Sequence, residues 1–269
     1  MSPMRRIQVL ISAVAVALVA GCASNKPAGG PPPPAPPPEP VKAQEATPLE
    51  RATIKTDLAA GYYERGQFDV AIDVLDEAQR LAPNYPKIYD IYGLVYTMLG
   101  ENQKAEGNFR RALGLAPNDP EIRANWGAFL CATGRVRESI PEFDAALADP
   151  LYKRPEIAMI NAGKCIGTLG DNKKADEYFR RAMGVSPGNT TAAYQLALLA
   201  YREARFDDAR FWMRPVMQQG TPRPEALYLG ICIERKKGDR QAELSYTSQL
   251  RNRFPESGEA KALASGACE

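Results

Sequence analysis

A 34-residue spacing constrains this chain more than any other feature. Between Pro86 and Asp119 stand Gly93, Tyr96, Gly100, Ala105, Phe109, Ala112 and Pro117. Thirty-four residues on come Gly127, Leu130, Gly134, Ser139, Phe143 and Ala146, with Pro150 one place early. A step of 36 gives Gly163, Ile166, Gly170, Ala175, Phe179, Ala182 and Pro187, and a further 34 gives Ala197, Ala200, Ala204, Ala209, Met213 and Val216. Thirty-four residues before the first set lie Ala59, Tyr62, Gly66, Ala71, Leu75, Ala78 and Pro83. Five units in one register imply a repeated supersecondary structure in which each unit buries its apolar face against the next.

The pattern resembles the tetratricopeptide (TPR) repeat, two antiparallel helices per unit. Small residues mark the helix crossing: Gly93 is expected to meet Ala105, with Phe109 filling the space beside them. Gly100 closes the turn between the helices, where the left-handed region costs glycine little. Pro117 stops the second helix. The fold expected is an all-α TPR superhelix of about six helix-turn-helix repeats over residues 51–269. The units fall at about 52–85, 86–119, 120–155, 156–189, 190–223 and 224–255, followed by a C-terminal cap. Asn118-Asp119-Pro120-Glu121 reads as a helix start: cap, proline in the first turn, acid near the positive end. Two extra residues around Asp149–Pro155 lengthen the connection between the third and fourth units. The sixth unit is irregular, with Gly230 and Gly238 eight residues apart where the others use seven, and Pro215 is expected to kink the second helix of unit five.

The first 50 residues read differently. Arg5 and Arg6 precede an apolar run, Ile7 to Ala20, too short for a spanning helix, which needs about 20 residues. Residues 1–21 therefore read as a signal peptide. The run ends Val19-Ala20-Gly21-Cys22, which resembles a bacterial lipobox and implies acylation of Cys22. By the same resemblance Ala23, in place of aspartate, implies sorting to the outer membrane, with the protein facing the periplasm. Several acyl chains give stable anchoring. From Cys22 to Glu50 the chain is a linker whose prolines, among them Pro31–Pro34 and Pro36–Pro38, keep it extended at about 3.1 Å per residue. Its role is read as a spacer that holds the repeats off the lipid, with a proline-rich ligand for a partner as the alternative.

Chemistry is sparse. The chain has no histidine, so it lacks the commonest general base and metal ligand. It shows no phosphate loop, nucleophile elbow or paired-cysteine zinc spacing. No catalytic residue, metal site, cofactor or small-molecule substrate is expected. A formal charge of +2, from 34 basic and 32 acidic residues, with no basic stripe, gives no reason to expect nucleic acid.

The expected work is protein binding by the concave surface, lined by first helices. Candidate residues are Thr56, Ala60 and Tyr63; Asp90, Leu94 and Thr97; Asn125 and Ala128; Asn161 and Lys164; and Tyr194, Leu198 and Tyr201. Amides and aromatics in such a lining suit an extended peptide or a partner helix. Trp126 falls at a packing position and is expected in the core. Trp212 either packs on unit six or stands exposed with Phe211. With Cys22 acylated, four cysteines remain in an oxidising compartment. Cys131 and Cys165 lie at similar levels of neighbouring first helices and could be bridged. Cys232 and Cys268 could then pair; the alternative is free buried thiols.

Lipobox, repeats, the run Asn125-Trp126-Gly127-Ala128-Phe129-Leu130-Cys131 and the insertion Asp149-Pro150-Leu151-Tyr152 together resemble the type IV pilus biogenesis and stability lipoproteins, the pilotins of the pilus secretin. The resemblance implies a scaffold that binds secretin subunits and helps them reach, and multimerise in, the outer membrane. Two other readings are an adaptor for another envelope machine, such as outer-membrane protein assembly or cell-wall synthesis, and a periplasmic thiol–disulfide protein using Cys131 and Cys165.

Overall fold

A computed structural model describes residues 46–269 apart from Gln219, Ala267 and Glu269. The signal peptide, Cys22 and nearly all of the linker lie outside the described residues. Among the described residues there are thirteen helices and no strand.

Six antiparallel pairs follow one another, and each pair is one repeat. They are α1 (Pro48–Glu64) with α2 (Phe68–Leu81), α3 (Pro86–Met98) with α4 (Asn102–Leu115), and α5 (Pro120–Ala132) with α6 (Val136–Leu147). Then come α7 (Pro155–Gly167) with α8 (Asn172–Val185), α9 (Thr190–Arg202) with α10 (Phe206–Gln218), and α11 (Pro224–Lys237) with α12 (Arg240–Arg253). A short helix, α13 (Gly258–Ala264), caps the last pair. The fold is a TPR superhelix, as the spacing predicts.

The first helix starts earlier than expected. Thr47 accepts from the Glu50 amide, and Glu50 accepts in return from the Thr47 amide at 2.7 Å. With Pro48 in the first turn this is a complete capping box. The linker boundary at Glu50 is corrected accordingly: the box satisfies two amides that would otherwise be unpaired, so Pro48–Glu50 belong to the helix. At α5 the expected start holds, with the Asp119 carboxylate accepting from the Glu121 and Ile122 amides.

Each unit is closed by a small residue facing a large one sixteen places later. A Cβ on Gly93 would lie 2.7 Å from the Phe109 ring, and one on Gly163 would lie 2.6 Å from the Phe179 ring. The glycine thus clears space for the phenylalanine itself, more directly than for Ala105. The sixth unit keeps the same spacing through Gly230 and Tyr246, whose ring lies 3.3 Å from a Cβ built at Gly230. Its extra residue lengthens α11 and is taken up before α12. α10 continues through Pro215, and α6 through Pro141.

The turn glycines Gly66, Gly100, Gly134, Gly170 and Gly238 all have positive φ. In the fifth unit Ala204 occupies this place at φ 57°. A Cβ there costs about 1–2 kcal/mol. Ala204→Gly is therefore expected to raise stability by about 1 kcal/mol after glycine's extra unfolded-state entropy is subtracted. Chemical denaturation of the two proteins checks this.

Buried clusters cross the seams between units. Phe109 in α4 is fully buried and packs on Trp126 and Phe129 of α5, with ring centroids 5.9 and 5.4 Å away. Trp126 is thus a core residue. Trp212 is half-buried against the core cluster that includes Ala197, Met213 and Ala226 and has the Arg180 guanidinium over its ring, while its neighbour Phe211 is exposed.

Candidate partner-binding groove

Along a first helix, residues three and four apart share a face. Thr56, Ala60 and Tyr63 do so in α1, Lys87, Asp90, Ile91 and Leu94 in α3, and Glu121, Ala124, Asn125 and Ala128 in α5. Because the units repeat every 34 residues, the three faces align into one groove of about 350 Å³. Asn161 and Ile157 of α7 continue it, and Tyr152 and Arg154 of the lengthened connection close one side.

Eight of the ten candidates in units one to four meet here: Thr56, Ala60, Tyr63, Asp90, Leu94, Asn125, Ala128 and Asn161. Two do not. Thr97 donates its hydroxyl to the Gly93 carbonyl at 2.7 Å, a turn back along its own helix. Lys164 lines a separate cleft with Tyr194, Gln195 and Arg223. Asn161, one turn earlier on the same helix, is the last of these residues in the groove; Lys164 lies past its end. Thr56 and Asp90 form floor rather than rim: both are about 1% exposed, and the Thr56 hydroxyl donates to the Ala52 carbonyl.

The floor is unusual for carrying a charge. Asp90 accepts from the Asn125 amide at 2.9 and 3.1 Å. Burial pushes its carboxyl up to about 7; the Asn125 hydrogen bond opposes this, and Glu121 and Asp119 add to it. Glu121 lies in a contrasting setting. Burial acts to raise it, but Lys87, at 3.3 Å, and Arg154 outweigh that and hold it below the usual carboxylate range. Tyr63 is raised by burial and then by the nearby Asp90.

A carboxyl raised in this way binds more protons folded than unfolded between about pH 4 and 7, so its contribution to stability is lost as pH rises through 7. Thermal melts of the native protein are expected to show this loss, on the order of a few kcal/mol, between about pH 4 and 7 and to level off above it. Asp90→Asn is expected to remove it.

Sequence reasoning missed Lys87, Glu121, Tyr152 and Arg154. Lys87 and Glu121 stand 34 residues apart at one repeat position, so their pairing was readable as opposite charges on adjacent units. Tyr152 and Arg154 belong to the insertion, whose path no periodicity describes.

At the other end, Tyr194, Leu198 and Tyr201 line a second cavity of about 700 Å³ with Phe206 and Tyr228. The Tyr201 hydroxyl donates to the Cys268 carbonyl at 2.7 Å, and Cys268 is bonded to Cys232 of α11. The other bridge joins Cys131 of α5 to Cys165 of α7, with Cα atoms 5.8 Å apart. Among the described residues no group of acidic, cysteine or histidine side chains could hold a metal ion.

Two segments match family models for the tetratricopeptide repeat, residues 56–120 and 158–189. The chain is thus a TPR protein by fold and by sequence. It is 26% identical over 198 residues to the type IV pilus assembly protein PilF of Pseudomonas aeruginosa, spanning 74% of this chain and 79% of that protein. A crystal structure of PilW, described as a widely conserved type IV pilus biogenesis factor, superposes with a TM-score of 0.72 at 31% identity, covering 79% of this chain and 98% of PilW. The structure of Pseudomonas aeruginosa PilF shares the fold, with a TM-score of 0.73 over 82% of this chain and 99% of that one. The chain belongs to the same family of TPR proteins as PilF and PilW.

Proposed function

We propose that this protein is an outer-membrane lipoprotein, acylated at Cys22, that binds the secretin of a type IV pilus in the periplasm and promotes its localisation and multimerisation. The observation that carries the reading is the groove of the first three units, in a chain whose relatives PilF and PilW are pilus assembly and biogenesis factors. The groove is open, mixes apolar side chains with amides and charges, and is long enough along three aligned helices to take an extended segment or a helix. Lipid at Cys22 and the proline-rich linker would hold it near the secretin's site of insertion. The protein acts by holding its partner, without covalent chemistry.

Deletion of the gene is expected to leave secretin monomers and few surface pili. Normal secretin multimers in the deletion strain contradict the proposal. Purification from detergent-solubilised outer membrane is expected to bring down the secretin; barrel-assembly or cell-wall proteins in its place count against it.

A further inference from the structure

We infer that the groove of α1, α3 and α5 takes a partner segment with a lysine or arginine at its centre, the cation directed at Asp90 and its neighbours apolar. The inference rests on the groove being the partner-binding face and adds the chemistry of what it accepts.

The argument is one of charge. Four carboxylates line the groove, from Asp57, Glu64, Asp90 and Glu121, against two cations, Lys87 and Arg154. Both cations meet the same acid, Glu121. Asp57 and Glu64, on the exposed rim formed by α1, have no ion pair among the described residues. Asp90 lies between them and α5, and its carboxylate meets a single donor group, the Asn125 amide. An ionised carboxylate accepts about four hydrogen bonds and an amide supplies two N–H groups, so acceptor capacity is left on the groove floor.

Packing does not call for an acid there. Thr56, Ala124 and Ile160 hold the equivalent repeat position in units one, three and four, and none is charged. The same groove carries Ala60, Ile91, Leu94 and Ala128, whose apolar surface would limit water at a docked ion pair and favour apolar residues beside the cation.

The pH dependence follows from the groups that face Asp90. They are Tyr63 from α1, Lys87 from α3, Asp119 at the cap of α5 and Glu121 within it, and Tyr152 from the connection, with Asp57, Glu64 and Arg154 lining the same groove. Burial leaves Asp90 titrating at about 7 in the empty groove. A docked cation holds it ionised, so protons compete with the ligand below that pH. Affinity is expected to rise about tenfold from pH 6 to pH 8.

The test uses the full chain and a positional-scanning library of acetylated, amidated decapeptides. Arginine or lysine flanked by apolar residues is expected to be enriched in the bound pool. Asp90→Asn and, separately, the rim double variant Asp57→Asn with Glu64→Gln are each expected to weaken that pool about tenfold, while Phe211→Ala leaves it unchanged. The rim variant alters only exposed side chains, so it tests the inference even if Asp90→Asn perturbs the fold. Peptides that bind without preference for a cation, or equally well to both acid variants, overturn the inference and leave the groove reading in place. Binding that survives Leu94→Arg, which puts a cation into the groove, or no binding at all, overturns both.

Discussion

Phe109→Ala is expected to destabilise the protein by about 3–5 kcal/mol and to uncouple its second and third units. The side chain is fully buried. It fills the space cleared by Gly93 within its own unit and packs on Trp126 and Phe129 of the next. Truncation therefore opens a cavity at both the intra-unit crossing and the inter-unit seam. In a solenoid each unit depends on its neighbours, so the loss should be non-uniform: hydrogen exchange is expected to rise in α3 to α5 well before α11 and α12. A uniform loss of protection along the chain, or a change under 1 kcal/mol (roughly the range of surface substitutions), would show that the seam is held elsewhere.

Replacing Cys131 and Cys165 together by serine is expected to cost about 3–4 kcal/mol, from the loop-closure entropy of a 34-residue separation. The position gives the bridge a second consequence. It ties α5 to α7, across the junction where the connection Asp149–Pro155 is longest and where Asn161 extends the groove of α1, α3 and α5. Cys165 is also buried, with its sulfur 3.1 Å from the Ser139 hydroxyl, so a serine in its place would keep that polar neighbour and lose only the covalent tie. The reduced native protein should show the same direction of change as the double variant. Alkylation of the folded protein without reductant measures the bridges directly: labelling of neither cysteine is expected, and full labelling of Cys131 would contradict the pairing.

How much of this was legible in the residues varies by layer. The helix pairs, the turns and the core faces follow from the 34-residue spacing, because the pairing of Gly93 with Phe109 or of Gly163 with Phe179 is a local fact repeated in sequence. The irregular sixth unit kept its small-to-large pairing at Gly230 and Tyr246 although its turn was displaced, so that pairing is a better guide to the repeat than the turn glycine. The groove was legible in part. Its rows come from helical periodicity, which brought Thr56, Ala60, Asp90, Leu94, Asn125 and Ala128 together. Its floor, its ion pairs and its wall were not: the burial of Asp90 depends on three helices at once, and Tyr152 and Arg154 arrive from a connection with no period. The start of α1 was missed because the prolines before it obscured a capping box that Thr47 and Glu50 spell out at short range.

The central claim is that the concave groove of the first three units holds the partner. A photo-crosslinking residue placed at Leu94 in the groove, and in a second strain at exposed Phe211 in α10, tests it most directly in intact cells that assemble pili. The account predicts a crosslink to the secretin from Leu94 and none from Phe211. Secretin captured from Phe211 and not from Leu94 would contradict it.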